Sequence, residues 1–269
     1  LHRKFYDISL DRGNAHVAAD VRDGGGDMLL LIHGLGCSGE SYRQVWEYPS
    51  FRQCIVVVPD LPGFGQSGFS DGFSCSLEDY AAVCRGLIDL FDYRRLHIVG
   101  HSMGGAVGVL LCTLMGEGVS SFINVEGNLV AADCGVSRKI MSMPYEEFLG
   151  TGCFELHLMA DSSGEKGVRM WASMAEQASP EAVYRSASSL VKWSDSGALL
   201  AEFLSLRCRK VYIYGEKNRE LKSLADIGSI QTREILRCGH FPMNDNPDEF
   251  YGFLAEWLAI HGAQLSSPQ

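Results

Sequence analysis

The sequence predicts an α/β protein: a mostly parallel sheet flanked by helices, with a helical insert after the sixth strand. Three observations carry this. Continuous apolar runs of strand length recur at residues 28–32, 54–58, 96–99, 121–125 and 210–214, and such runs mark strands covered on both faces, as parallel strands are. Helix-period segments alternate with them, the signature of βα units. One stretch, from about residue 129 to 206, breaks the alternation, with helix-like segments and no convincing strand. A chain of 269 residues is long enough for one large core with such an insert.

Taken in order, residues 4–10 and 15–21 read as two strands joined by Asp11-Arg12-Gly13-Asn14, a hairpin turn signal. Gly24-Gly25-Gly26-Asp27 is a loop before the run at 28–32. After the run at 54–58, Leu77, Tyr80, Ala81, Cys84, Leu87, Ile88 and Phe91 recur at spacings of three and four, one face of a helix. Ser76 is placed to cap that helix, with Asp79 three residues on, much as a capping box requires. The run at 96–99 leads through Gly100-His101-Ser102-Met103-Gly104-Gly105 into the small and apolar residues 106–111 of a buried helix. The insert is rich in Met, Phe and Trp: Met141, Met143, Phe148, Phe154, Met159, Met170, Trp171, Met174 and Trp193. Beyond it, 210–214 and 232–236 are strands, and Phe250, Phe253, Leu254 and Trp257 form one face of a final helix over 247–260. The division expected is a core of 1–128 and 207–269 with an insert of 129–206.

A net charge of −10 argues against nucleic acid and anionic membrane as partners. The longest apolar runs fall far short of the ~20 residues that span a bilayer. No signal-peptide pattern opens the chain, and its start at Leu1 reads as trimmed. The nine cysteines are odd in number, show no C-x-x-C pair and fall partly in apolar strands and helices. That usage points to a reducing, cytoplasmic setting. No His/Cys group has the spacing of a zinc site.

The chemistry centres on Ser102. Strand, G-x-S-x-G, helix is the context of a nucleophile elbow. The turn is so tight that side chains at its first and last positions would clash, and Gly100 and Gly104 remove the clash. The plain alternative is a serine in an ordinary strand-to-helix turn. A serine hydroxyl needs a base within hydrogen-bond reach to act as a nucleophile.

His33-Gly34-Leu35-Gly36, Asp60-Leu61-Pro62-Gly63-Phe64-Gly65-Gln66-Ser67, the elbow, and Gly239-His240-Phe241-Pro242 all follow predicted strands, at the sheet edge where open α/β proteins place their sites. In this order, over nearly the whole length, they resemble the α/β-hydrolase superfamily, in its esterase/lipase-like form with a helical lid. The resemblance implies that His240 is the general base, and an unperturbed imidazole with pKa of about 6.5 suits that role near neutral pH. It implies an oxyanion hole from the backbone N–H groups of Leu35 and Met103, and makes residues 129–206 the lid. The Asp60–Ser67 segment is read as structural. Of the other histidines, His2, His16 and His261 are read as solvated, His33, His97 and His101 as structural, and His157 as a surface residue of the insert.

The acid is the open position. The resemblance puts an Asp just after the strand at 210–214, but the sequence there is Tyr214-Gly215-Glu216-Lys217-Asn218, with Asn218 at the acid's place. Asn124-Val125-Glu126-Gly127-Asn128, at the tip of the neighbouring strand, offers a carboxylate instead, and some members of the superfamily use an acid there. Glu126 is the preferred acid. Its alternative is a carboxylate that caps a loop or pairs with an arginine of the insert such as Arg138, while Glu216, Asp226 and Asp245 are weaker candidates, the last read as solvated. If Asn218 has replaced the acid outright, activity is weakened.

The expected function is a serine hydrolase, carboxylesterase-like, that needs no metal or organic cofactor and acts on a small-molecule acyl substrate with an apolar part. A thioester is the second choice. Cleavage of an activated carbon–carbon bond, and a weakly active binding protein on the same scaffold, remain as alternatives. A serine at the elbow argues against dehalogenation and epoxide opening, which in this superfamily resemble enzymes with aspartate there.

Overall fold

In the computed structural model, which describes residues 2–11, 13–70 and 72–262, the apolar runs become the middle of one sheet. Its strands are β1 (His2–Ser9), β2 (Asn14–Arg22), β3 (Asp27–Ile32), β4 (Ile55–Pro59), β5 (Gly68–Phe69), β6 (Arg95–His101), β7 (Ser121–Val125), β8 (Arg209–Gly215) and β9 (Gln231–Ile235). The order is β1-β2-β4-β3-β6-β7-β8-β9, with β5 pairing to β2. β2 runs antiparallel to β1, β4 and β5, and the pairs from β4 to β9 are parallel.

Strand periodicity divides the core. On β3, Met28, Leu30 and Ile32 enter one apolar layer, while Leu29 and Leu31 enter the layer on the other face. The first layer holds α1 (Leu77–Ile88) and α2 (Met103–Met115), which pack against each other. The second holds Phe250, Tyr251, Leu254 and Trp257 of the final helix. The Ser76 hydroxyl accepts from Asp79 N at 3.2 Å, so the expected cap forms. α1 stops at Ile88, short of Phe91, which packs on the core from outside the helix. The first hairpin closes with Leu10 N donating to Gly13 O, and Arg12 of the expected turn lies outside the described residues. β5 was not expected, because two residues carry no periodicity.

Between β7 and β8 the described chain is helical. α3 (Gly135–Met141) leads to α4 (Tyr145–Glu147), which continues through a π turn over Phe148–Gly152 into α5 (Cys153–Asp161). α6 (Lys166–Ala175), α7 (Pro180–Asp195) and α8 (Ala198–Ser205) complete it. α8 packs on α2, and the Phe203 ring meets Phe122 of β7 and Tyr212 of β8. The end of the insert therefore belongs to the helical layer of the sheet. The Met- and aromatic-rich set also divides. Phe148 is buried, Met141 and Met143 pack on the core, and Phe154 and Met159 are 64% and 58% exposed. After β8 come α9 (Lys222–Asp226), α10 (Pro242–Asp245) and α11 (Pro247–Gly262).

Candidate active site

The parallel strands β3, β6, β7 and β8 end at one edge of the sheet, and the loops that follow them converge there. Ser102 joins β6 to α2 with φ +53° and ψ −120°. The sharpness of this turn explains its glycines. A Cβ on Gly100 would stand 2.2 Å from Gly104 O, and one on Gly104 would stand 2.4 Å from Ile32 O. Met103 is the buried first residue of α2, whose opening N–H groups have no partner within the helix. Leu35 lies across the same cavity from the loop after β3.

Glu126 follows β7 with φ +47°. Asn124 Oδ1 accepts from Gly127 N at 2.8 Å and closes the turn around it. The Glu126 side chain is fully buried, and a carboxylate in that position must find donors. It has three. Gly215 N reaches Oε1 at 2.7 Å, Asn218 Nδ2 lies 2.9 Å from Oε1 and 2.7 Å from Oε2, and His240 Nδ1 is 2.6 Å from Oε2. Asn218, at the acid's usual place, thus donates to the carboxylate on the neighbouring strand. Arg138 pairs with Asp195 instead. Glu216 accepts from Arg237 N, and Asp226 pairs with Lys222. Asp245 is not simply solvated: it accepts from Gly167 N at 2.8 Å and Gly239 N at 3.3 Å, tying α6 to the turn before His240.

His240 is 37% exposed. The contact with Glu126 makes Nδ1 its proton-bearing nitrogen and turns Nε2 away from the carboxylate. His101 holds this residue from behind, with Nε2 donating to His240 O at 2.7 Å and the two rings 4.7 Å apart. Burial, with the neighbouring His240 imidazole acting the same way, pushes the His101 pKa well below the ordinary imidazole range, so His101 stays neutral.

His33 also works structurally. Its Nδ1 donates to Gly34 O at 2.8 Å and its Nε2 accepts from Leu61 N at 2.9 Å, joining two site loops. Asp60 gathers Arg3, Gly39 N and Gln66 N, so that segment serves as structure. His157 bridges α5 to Glu176 at 2.8 Å.

These loops enclose a cavity of about 370 Å³ lined by Leu35, Ser102, Glu126, Asn128, Asn218 and His240, among others. Of the nine Met and aromatic residues singled out in the insert, Trp171 lines it; Val136 and Val168 join from the same segment. Trp171 Nε1 donates to Leu35 O at 2.8 Å. Sequence reasoning gave no role to Asn128, whose Oδ1 accepts from Ser102 Oγ at 3.2 Å. Its place two residues after Glu126 was the available signal.

Comparison with known proteins extends this picture. An uncharacterized protein of Mycobacterium tuberculosis is 33% identical over 121 residues, 45% of this chain and 35% of that protein. The 2-hydroxy-6-oxo-2,4-heptadienoate hydrolase of Pseudomonas putida is 32% identical over 89 residues, 32% of each chain. These matches span about a third of the curated relatives' lengths, 35% and 32%. Among solved structures, an esterase from Thermogutta terrifontis superposes with TM-score 0.75 at 21% identity, covering 97% of this chain and 99% of that one. The N-acyl homoserine lactonase AidH superposes with TM-score 0.75 at 19% identity, covering 99% and 100%. At such identities they share its fold. The family model described as "Alpha/beta hydrolase family" matches residues 29–253, most of the chain and each of the four converging loops, and the chain belongs to that family.

Proposed function

We propose that this protein is a serine hydrolase that cleaves a carboxylic ester of a small-to-medium apolar substrate through an acyl-enzyme. The observation that carries the reading is the fully buried Glu126 carboxylate held 2.6 Å from His240 Nδ1 at the cavity that Ser102 lines. A buried carboxylate so placed fixes the imidazole tautomer and stabilises the imidazolium that forms when the ring takes a proton. Asn218 supports Glu126 by donating to it.

In the first half of the cycle, Ser102 Oγ turns about χ1 from Asn128 toward His240 Nε2. Oγ attacks the ester carbonyl carbon as His240 takes its proton. The carbonyl oxygen becomes an oxyanion facing the N–H groups of Leu35 and Met103, and such donors each contribute about 3 kcal/mol to transition-state stabilisation. The C–O bond to the leaving alcohol breaks, and His240 returns the proton to that oxygen. In the second half, water loses a proton to His240 and attacks the acyl carbon, the bond from that carbon to Ser102 Oγ breaks, and His240 returns the proton to Oγ as the acid leaves. A thioester follows the same steps with a thiolate leaving group.

Within the expected insert of 129–206, the part before α8 acts in this reading as the lid, with Trp171, Val136 and Val168 supplying apolar walls, while α8 packs with the core on α2. The free thiols suit a reducing compartment such as the cytoplasm. The expected result with a fluorophosphonate probe is one adduct, mapped by mass spectrometry to Ser102. Labelling elsewhere, or labelling that persists in Ser102→Ala, would overturn the mechanism.

A further inference from the structure

We infer that Asn128 is a specificity-determining residue, and that the site prefers esters of acids carrying a hydroxyl on the α-carbon; this rests on the serine-hydrolase reading above. Asn128 is 5% exposed and lines the cavity. Its orientation is fixed by its neighbours. Nδ2 donates to Asp133 O at 2.6 Å, so the acceptor Oδ1 faces Ser102. Its backbone is held as well, with Ser194 Oγ donating to Asn128 O at 3.0 Å.

In the free enzyme the Oδ1 acceptor is satisfied by the Ser102 hydroxyl at 3.2 Å. During turnover that partner is lost. Oγ gives its proton to His240 and, once acylated, has none to donate. A buried amide oxygen is then left without its donor, which is unfavourable unless the substrate supplies one.

Geometry says where on the substrate such a donor sits. A heteroatom on the acyl α-carbon stands three covalent bonds from Oγ, roughly 3 Å away when each bond is about 1.5 Å. Oδ1 lies 3.2 Å from Oγ at rest, and the turn of Oγ about χ1 toward His240 opens that gap, so a hydroxyl on the α-carbon, on the Asn128 side of the ester, is the substrate donor placed to fill it. The acceptor is a neutral amide oxygen, so a neutral hydroxyl suits it, while an ammonium would ask for a negative partner. Of the two carboxylates that line the cavity, Glu126 is already taken by three donors, and burial raises the pKa of Asp133.

The test measures kcat/KM for ethyl propanoate, ethyl 2-fluoropropanoate, ethyl lactate (both enantiomers) and alanine ethyl ester. The fluoro ester withdraws electrons from the carbonyl without offering a donor, so it separates reactivity from recognition. One lactate enantiomer is expected to exceed the fluoro ester by on the order of tenfold to a hundredfold. In Asn128→Ala that ratio is expected to fall to near one, and Asn128→Leu to behave alike; a purely structural role would slow every ester equally and leave the ratio intact.

The wild-type ratio needs no variant to fold, so lactate and fluoro esters turned over equally would by themselves overturn the proposal. So would a preference that survives in a folded Asn128 variant, or alanine ester preferred to lactate. Failure of the underlying reading looks different: no ester is hydrolysed and Ser102 takes no fluorophosphonate.

Discussion

Ser102→Ala is expected to lower kcat on an activated ester such as p-nitrophenyl butyrate by a factor on the order of 10⁴ to 10⁶, the range lost when a serine hydrolase loses its nucleophile. The fold is expected to stay intact. Among the described residues Ser102 Oγ makes one hydrogen bond, to a neutral amide oxygen at 3.2 Å, and the turn is shaped by its flanking glycines. Residual rate should remain if, as proposed, the Leu35 and Met103 N–H groups still face the carbonyl. Steady-state kinetics with circular dichroism as a folding control checks this; near wild-type kcat in the variant would move the nucleophile elsewhere.

The second large effect is at Glu126. Replacing it with Gln keeps the shape and removes the charge. It also puts an NH₂ where two oxygens now receive Gly215 N, Asn218 Nδ2 and His240 Nδ1. Whichever way the new amide turns, one donor faces another. Losing the charge at the equivalent position of a serine protease lowers kcat by about 10⁴, and Glu126→Gln should lose on the order of 10² to 10⁴. Asn218→Ala should lose much less, since it removes one of three donors. Asn218→Asp should be worse than Ala, because it sets a second carboxylate against a buried one. Measuring kcat for the three variants side by side decides the matter. If Asn218→Asp outperforms wild type while Glu126→Gln is unaffected, the acid belongs at position 218.

The parallel core was legible in the sequence because burial on both faces leaves a run such as Met28 to Ile32 no polar position. The elbow was legible because its glycines answer a steric demand that any sequence making that turn must meet. The choice between Glu126 and Asn218 was only half legible. Sequence shows which residues stand at each strand tip, but the Asn218 amide pointing at Glu126 depends on β7 and β8 pairing in register. Asn128 offered only its place two residues after Glu126, because its contact with Ser102 is set by where a loop falls. The insert was least legible. Its Met and aromatic residues have the same composition whether they fill the core, as Phe148 does, line the cavity, as Trp171 does, or face outward, as Phe154 does. Composition states that apolar area exists and not what covers it.

The pairing of His101 with Val125 makes Ser102 and Glu126 the next residues out on two adjacent strands, and both sit at positive φ. Such sparsely populated backbone costs an ordinary residue about 1–3 kcal/mol, and glycine enters positive φ freely. The two positions the proposed mechanism needs most are therefore places where the protein is less stable than it could be. Ser102→Gly should abolish hydrolysis and yet raise the melting temperature, by about 2–4 °C for each kcal/mol gained in a chain of this size. A scanning calorimeter would see the inactive protein outlast the active one. Selection for thermal endurance alone would then favour molecules that no longer react, so any programme to stabilise this enzyme must screen for turnover at every round.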